Sequence, residues 1–320
     1  MKHLSVFACV LMGAWTGATA FASEVKVTPL GSTKGEFCHL DRAMIFEDPD
    51  GTRILYDAGR TVAGPTDPRL GKIDAVLVSH MHGDHVGDRT IAAEKEGDCG
   101  KPEFPNVVLP TTNSVQIAHE KGAVIVTGSE MPKFFASKLK SIGGDPSKSL
   151  LVRFGASRKV GGVTITTVPA AHSNGVAGAM IGGDLGKHLD DAGLTAYAGP
   201  PTGYVLTFSN GLVAYLSGDT GVTAEQKIVV ADQYKAKLVV LNIGDTFTTG
   251  PQEAAYVVNE LIQPVSVIAS HANEAATKDG VVVGGSRTDQ FIKASKAPVY
   301  VPLSGRVMAF EASGACASGC

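Results

Sequence analysis

The stretch Ser79-His80-Met81-His82-Gly83-Asp84-His85 constrains this chain more than any other. It sets imidazoles at 80, 82 and 85 and a carboxylate at 84 directly behind an apolar run, residues 73–78. Imidazole and carboxylate together are the donors that suit zinc and similar divalent metals. The plain alternative is a solvated polar loop, which leaves the spacing of the donors without a reason. The pattern points to a metal site, expected to hold two ions, with a hydrolase built around it.

The 320 residues carry a formal net charge of −3. That balance gives no reason to expect nucleic acid or an anionic membrane surface as a partner. A small-molecule substrate is the expected partner, and the oligomeric state is not readable from sequence. Residues 1–22 read as a signal peptide: Lys2, an apolar core over 4–15, and a small-x-small site at Ala20-Phe21-Ala22. The core is too short, and too broken by Gly13 and Gly17, for a stable membrane span. Residues 23–320 are then expected to form a single metallo-hydrolase domain, periplasmic or secreted. Cysteine usage agrees with export, because Cys38, Cys99, Cys316 and Cys320 remain after cleavage. They permit two disulfides in three connectivities; Cys38 with Cys99 and Cys316 with Cys320 is the expected pairing, with unpaired thiols as the alternative.

Along the chain, residues 24–30 alternate as a half-buried strand does. Residues 37–46 and 52–56 flank Asp48-Pro49-Asp50-Gly51 as a hairpin. A helix is expected over 88–96, closed by Gly97, and another over 113–121, stopped by Gly122. Met131, Phe135, Leu139 and Ile142 recur at helical spacing. The Gly-rich segment 175–201 has no strong periodicity and is the candidate for a mobile substrate loop, with His188 and Tyr197 as candidate substrate contacts. Hairpin strands follow at 204–208 and 212–216, then a strand at 238–243, a helix opened by Gly250-Pro251, and a strand at 265–269. A helix started by Ser286 and Asp289 and strands at 299–303 and 307–310 complete the chain. His39 is read as lying in an early strand from which it could approach the cleft, a structural role being the commoner one for a strand histidine, and His119 as part of a solvated helix face.

Four times an apolar run ends in a potential ligand. Residues 73–78 lead to His80, 163–168 to His172, 212–216 to Asp219, and 265–269 to His271. Aligned strands deliver their exit loops to one edge of a sheet, so residues nearly two hundred positions apart can meet there. Each residue alone could be structural; the repetition points to one shared site.

These residues carry a resemblance. The cluster His80-Met81-His82-Gly83-Asp84-His85, His172, Asp219 in Ser-Gly-Asp-Thr-Gly, and His271 resemble the metallo-β-lactamase-fold hydrolase superfamily. Asn242-Ile243-Gly244-Asp245-Thr246-Phe247-Thr248-Thr249-Gly250-Pro251 and Ser270-His271 resemble its branch that includes the ascorbate-phosphate lactonases. The resemblance implies an α/β fold, an αββα four-layer sandwich of two mixed sheets with helices on the outer faces. It implies two divalent metal ions, zinc ahead of manganese or iron, with His80, His82 and His172 on one, Asp84, His85 and His271 on the other, and Asp219 bridging. Asp57 resembles the family's supporting carboxylate, orienting a ligand rather than binding an ion. Asp84 could also carry a proton during turnover. The expected function is an exported hydrolase that cleaves a small ester, lactone or phosphodiester with a hydroxide shared by the ions. The alternatives are a periplasmic β-lactamase, disfavoured by a bridging acid at Asp219, and a non-catalytic metal- or partner-binding protein on the same scaffold.

Overall fold

The structure is a computed structural model that describes residues 24–320, so the expected signal peptide and Cys9 lie outside the described residues. Two large mixed sheets form its centre. The first runs, edge to edge, Cys316–Ser318, Met308–Phe310, Val25–Pro29, Met44–Glu47, Arg53–Tyr56, Ala75–Leu77, Val124–Thr127 and Ser149–Leu151. The second runs Val299–Tyr300, Ser266–Ser270, Leu238–Asn242, Val213–Leu216, Thr202–Thr207, Val163–Pro169 and Ser157–Val160.

Strand periodicity decides the layers, because successive side chains point to opposite faces. Ile54 and Tyr56 face inward between the sheets, where they join Leu206, Leu216 and Val240 of the second sheet. Leu55, between them, faces outward with Val76 and Ile125 against Val115, Phe135 and Leu139 of helices Asn113–Lys121 and Met131–Ser141. On the far side, Val239, Leu241 and Val267 pack against Val230, Val257 and Phe291 from the outer helices. Both faces of each sheet are therefore buried, which gives the helix–sheet–sheet–helix sandwich that the sequence implies. Among the described residues no helix is long and apolar enough to cross a membrane. Cys38 with Cys99 and Cys316 with Cys320 are paired as disulfides, the expected connectivity.

Three expectations of local structure need correction. Residues 88–96 are not a helix. Arg89–Thr90 pairs with Asn106–Val107, Ile91 N donates to Arg60 O at 2.9 Å, and Glu94 accepts from Ser304 Oγ at 2.6 Å. Tertiary bonds override a modest helix propensity there. In the expected strand 37–46, only Met44–Glu47 pairs; residues 37–43 form a turn held by side chains. The segment 175–201 is not a structureless loop. It holds helices Gly178–Ile181 and Gly183–Asp191, enclosed by the strand pair Gly175–Val176 and Ala196–Tyr197. Its glycines serve close packing: a Cβ on Gly178 would lie 2.1 Å from Gly186 O.

Candidate metal centre

Strand direction gathers the donors. Val213–Leu216, Leu238–Asn242 and Ser266–Ser270 are parallel, and two antiparallel pairings make Val163–Pro169 point the same way. Their exits open at one edge of the second sheet and carry His172, Asp219 and His271. In the first sheet Arg53–Tyr56 and Ala75–Leu77 are parallel and lead to Asp57 and the histidine loop. Bonds between the sheets fix the two edges against each other. Thr202 N donates to Ser79 O at 2.9 Å, and the Tyr204 hydroxyl reaches Val78 O at 2.7 Å.

Two groups of donors result, and within each the ligand atoms lie within 4.8 Å of one another: His80, His82, His172 and Asp219, then Asp84, His85 and His271. A single oxygen, Asp219 Oδ2, lies 2.9 Å from His271 Nε2, 3.4 Å from His85 Nε2, 3.6 Å from His172 Nε2 and 3.8 Å from His80 Nε2. Asp84 Oδ2 stands 3.6 Å from His85 Nε2 and 3.7 Å from His271 Nε2.

The residues beneath orient these donors. Asp57 accepts from Ser79 N at 2.8 Å and Ser79 Oγ at 2.7 Å, and its Oδ2 lies 2.8 Å from His85 Nδ1. Ser79 Oγ in turn lies 2.9 Å from His80 Nδ1. With the Nδ1 protons engaged below, the Nε2 lone pairs of His80 and His85 face the centre. Both Nε2 atoms, and Asp219 Oδ1, are buried without a hydrogen-bond partner. Buried polar atoms left this way are costly, and a cation accepting their lone pairs removes the cost. The donor set fits a divalent metal.

Charge tells the same story. Burial, reinforced by neighbouring imidazoles, holds His80 and His82 below the ordinary histidine value, and burial does the same for His172 and His271. Burial also disfavours the charged form of His85, but Asp219, Asp84 and Asp57 prevail and hold its pKa well above the ordinary value. Burial would raise Asp84 and Asp219, yet His85, joined by Arg42 at Asp84 and by the hydrogen-bonding His271 ring at Asp219, keeps both below the usual carboxylate range. Without a metal, the carboxylates thus retain a proton on His85 as their counter-charge.

The centre opens into a cleft of about 400 Å³, lined beyond the donors by His39, Leu40, Arg60, Ser173, Phe247 and Asn273. Two expected substrate residues are not among them. His188 is exposed on Gly183–Asp191, and Tyr197 is exposed in a separate depression beside Arg153 and Phe154. Read as a loop, the segment puts them near substrate; its helices and strand pair turn them elsewhere. His39 does reach the cleft, but from a turn rather than from the expected strand. Arg42 carried no sequence signal beyond being a charge inside an apolar stretch. It is buried, with Nε 3.3 Å from Asp84 Oδ2 and Nη2 2.6 Å from Asn273 Oδ1. The guanidinium ties the carboxylate of the histidine loop to the segment that follows His271.

Residues 52–272 match the family described as the beta-lactamase superfamily domain. The chain belongs to that superfamily. Its relatives in the metallo-β-lactamase superfamily include a UPF0173 metal-dependent hydrolase of Cupriavidus necator, 30% identical over 271 residues that make up 82% of this chain and 82% of that protein. Another, from Koribacter versatilis, is 28% identical over 226 residues, 70% of this chain and 77% of that protein. Among solved structures, the fold is similar to Igni18, a metallo hydrolase from Ignicoccus hospitalis, with a TM-score of 0.57 and 22% identity over 90% of this chain and 99% of that one. The protein is a metal-dependent hydrolase of the metallo-β-lactamase superfamily.

Proposed function

We propose that this hydrolase is an exported, dinuclear enzyme that cleaves a small ester, lactone or phosphodiester. The observation that carries the dinuclear reading is the position of Asp219, whose Oδ2 faces imidazoles from both donor groups within 3.8 Å. His80, His82 and His172 would hold one ion, Asp84, His85 and His271 the other, and Asp219 would be shared, with zinc the first candidate and manganese or iron the alternatives. Bound divalent ions supply an activated water and draw electron density from the substrate's carbonyl or phosphoryl oxygen. The chain's own residues do the rest. Asp57 holds the His85 ring, Arg42 holds Asp84, and Asp84 faces the cleft where it can take or return a proton. The resemblance of Asp219 to the shared acid of the phosphodiesterase and lactonase branches supports ester, lactone and phosphodiester substrates over β-lactams. The two disulfides support export, since such bonds persist in oxidising compartments.

Metal content measured with turnover of a chromogenic phosphodiester, an acyl-lactone and a cephalosporin tests this reading. Two ions per chain and turnover of one of the first two substrates are expected; cephalosporin turnover alone would reverse the assignment. Asp219→Ala should lower both metal stoichiometry and rate, and unchanged values would show that Asp219 is not shared. Secreted protein should begin near Ser23; a retained residue 1–22 segment would count against a cleaved signal.

A further inference from the structure

The cleft wall contains a strained turn. Asp41 N donates to Cys38 O at 3.2 Å, and Leu40, the third residue of the turn so closed, has φ 67°. That position in such a turn normally takes glycine, and a bulky residue there persists only where its surroundings over-determine it. Here they do. Cys38 is bonded to Cys99, and the Asp41 carboxylate accepts from Ser32 N at 2.9 Å and Cys38 N at 2.7 Å. Phe37 N donates to Thr277 Oγ1 at 2.8 Å, and buried Arg42 follows at once. What this turn delivers to the cleft is Leu40, with His39 beside it.

The second sheet supplies a counterpart. After Leu238–Asn242 the chain passes through Asp245 and Thr246, with φ 54° and 55°, to Phe247. This loop is also anchored: Gly244 N donates to Thr248 Oγ1 at 3.2 Å, and Thr249 Oγ1 donates to Asn242 O at 3.0 Å. Phe247 is 67% exposed, yet it lines the same cleft as Leu40. Two anchored turns, one from each sheet, each hold an apolar side chain at the metal cleft. The lining offers little to a phosphate. Arg60, the fixed cation among the described lining residues, has Nε and Nη2 on the Asp88 carboxylate at 2.6 and 2.9 Å.

We propose that Leu40 and Phe247 grip an apolar arm of the substrate, so that the enzyme acts on carboxylic esters or lactones bearing an alkyl chain or aromatic ring. This narrows the hydrolase reading above and rests on it. The recognition is hydrophobic burial in a preformed cleft, with the reacting carbonyl directed to the centre.

The test uses the full metal-loaded chain with 4-nitrophenyl esters of two-, four-, six- and eight-carbon acids, with lactones carrying alkyl arms of the same lengths, counted with the esters, and with bis(4-nitrophenyl) phosphate. Each added methylene buried in an apolar pocket can raise kcat/KM roughly tenfold, so a rise of at least about tenfold from the two- to the six-carbon ester is expected. Phe247→Ala alters an exposed residue, so folding is not at risk; its loss of kcat/KM should grow with chain length. Leu40→Gly relieves the turn and removes the side chain, and should show the same graded loss. Octanoate binding, followed by titration calorimetry, should weaken in both variants, a readout of binding independent of turnover. A flat chain-length profile, or equal losses on every ester, overturns the proposal. Phosphodiester turnover without ester turnover also overturns it while the hydrolase reading stands; turnover of nothing in the panel sinks both.

Discussion

Asp41, buried beside the cleft, carries a cost that depends on pH. Burial pushes its carboxyl up to about 6, against the two backbone N–H groups and Arg42 that favour its charged form. Because the folded pKa lies above the unfolded one, the folded chain holds this proton more tightly. The group's contribution to stability is full below the unfolded value of 3.8 and is lost as pH rises to about 6. Asp41→Asn removes the titration, and its loss of one carboxylate acceptor is independent of pH. Between about pH 4 and 7 the wild type should lose up to about 3 kcal/mol relative to that variant. Urea unfolding at the two pH values measures the change; a constant gap would show that Asp41 is not held protonated. At this scale the gathering of the donors was legible, and so, through the resemblance, was Asp57 beneath them; Arg42 was not. His80, His172, Asp219 and His271 each follow an apolar run, a position that strand direction alone converts into a shared site. Arg42 and His39 follow no such rule, because their placement depends on a turn closed by side chains distant in sequence.

The helical turn Gly83–Val86 shows how elements hold the site at close quarters. It ends at Gly87, φ 75°, where an added Cβ would lie 2.4 Å from both Asn113 Cβ and Gly59 O. Gly87→Ala therefore meets two penalties, about 1 kcal/mol or more for the left-handed backbone and roughly 1–3 kcal/mol for overpacking. Gly97 is a matched control, since it has φ 89° and nothing within 4 Å of its Cβ position. Gly87→Ala should be clearly less stable than Gly97→Ala and should also bind less metal, because Asp84 and His85 lie in the turn it closes. Equal denaturation midpoints would refute the packing argument. Element type was legible where local signals and packing agree, as in Asn113–Lys121 with Gly122 at its end. It was not legible in 175–201, where glycine signals flexibility in sequence but close helix contact in the fold. Nor was it legible at 88–96, whose polar side chains bond to residues far away.

Across the whole molecule, the two sheets press five imidazoles and two carboxylates together at one edge, and something positive must balance them. A ligand that binds only the folded chain stabilises it by mass action, about 4 kcal/mol at a thousandfold excess over its Kd. Chelation should therefore lower Tm, and the size of the drop should depend on pH. In the metal-free chain the His85 proton is the substitute counter-charge, with a folded pKa well above the unfolded one. The stability it contributes is complete below the ordinary histidine value and is lost as pH rises through the folded value. The metal-loaded chain has no such proton to lose, since the ion takes its place and its release favours binding at higher pH. The Tm gap between loaded and chelated protein should then be wider at pH 9 than at pH 7, both above the range where the other four histidines of the centre titrate. Thermal melts with and without chelator at the two pH values decide it. A gap that stays constant or narrows would mean that the carboxylates around His85 are balanced by some other charge.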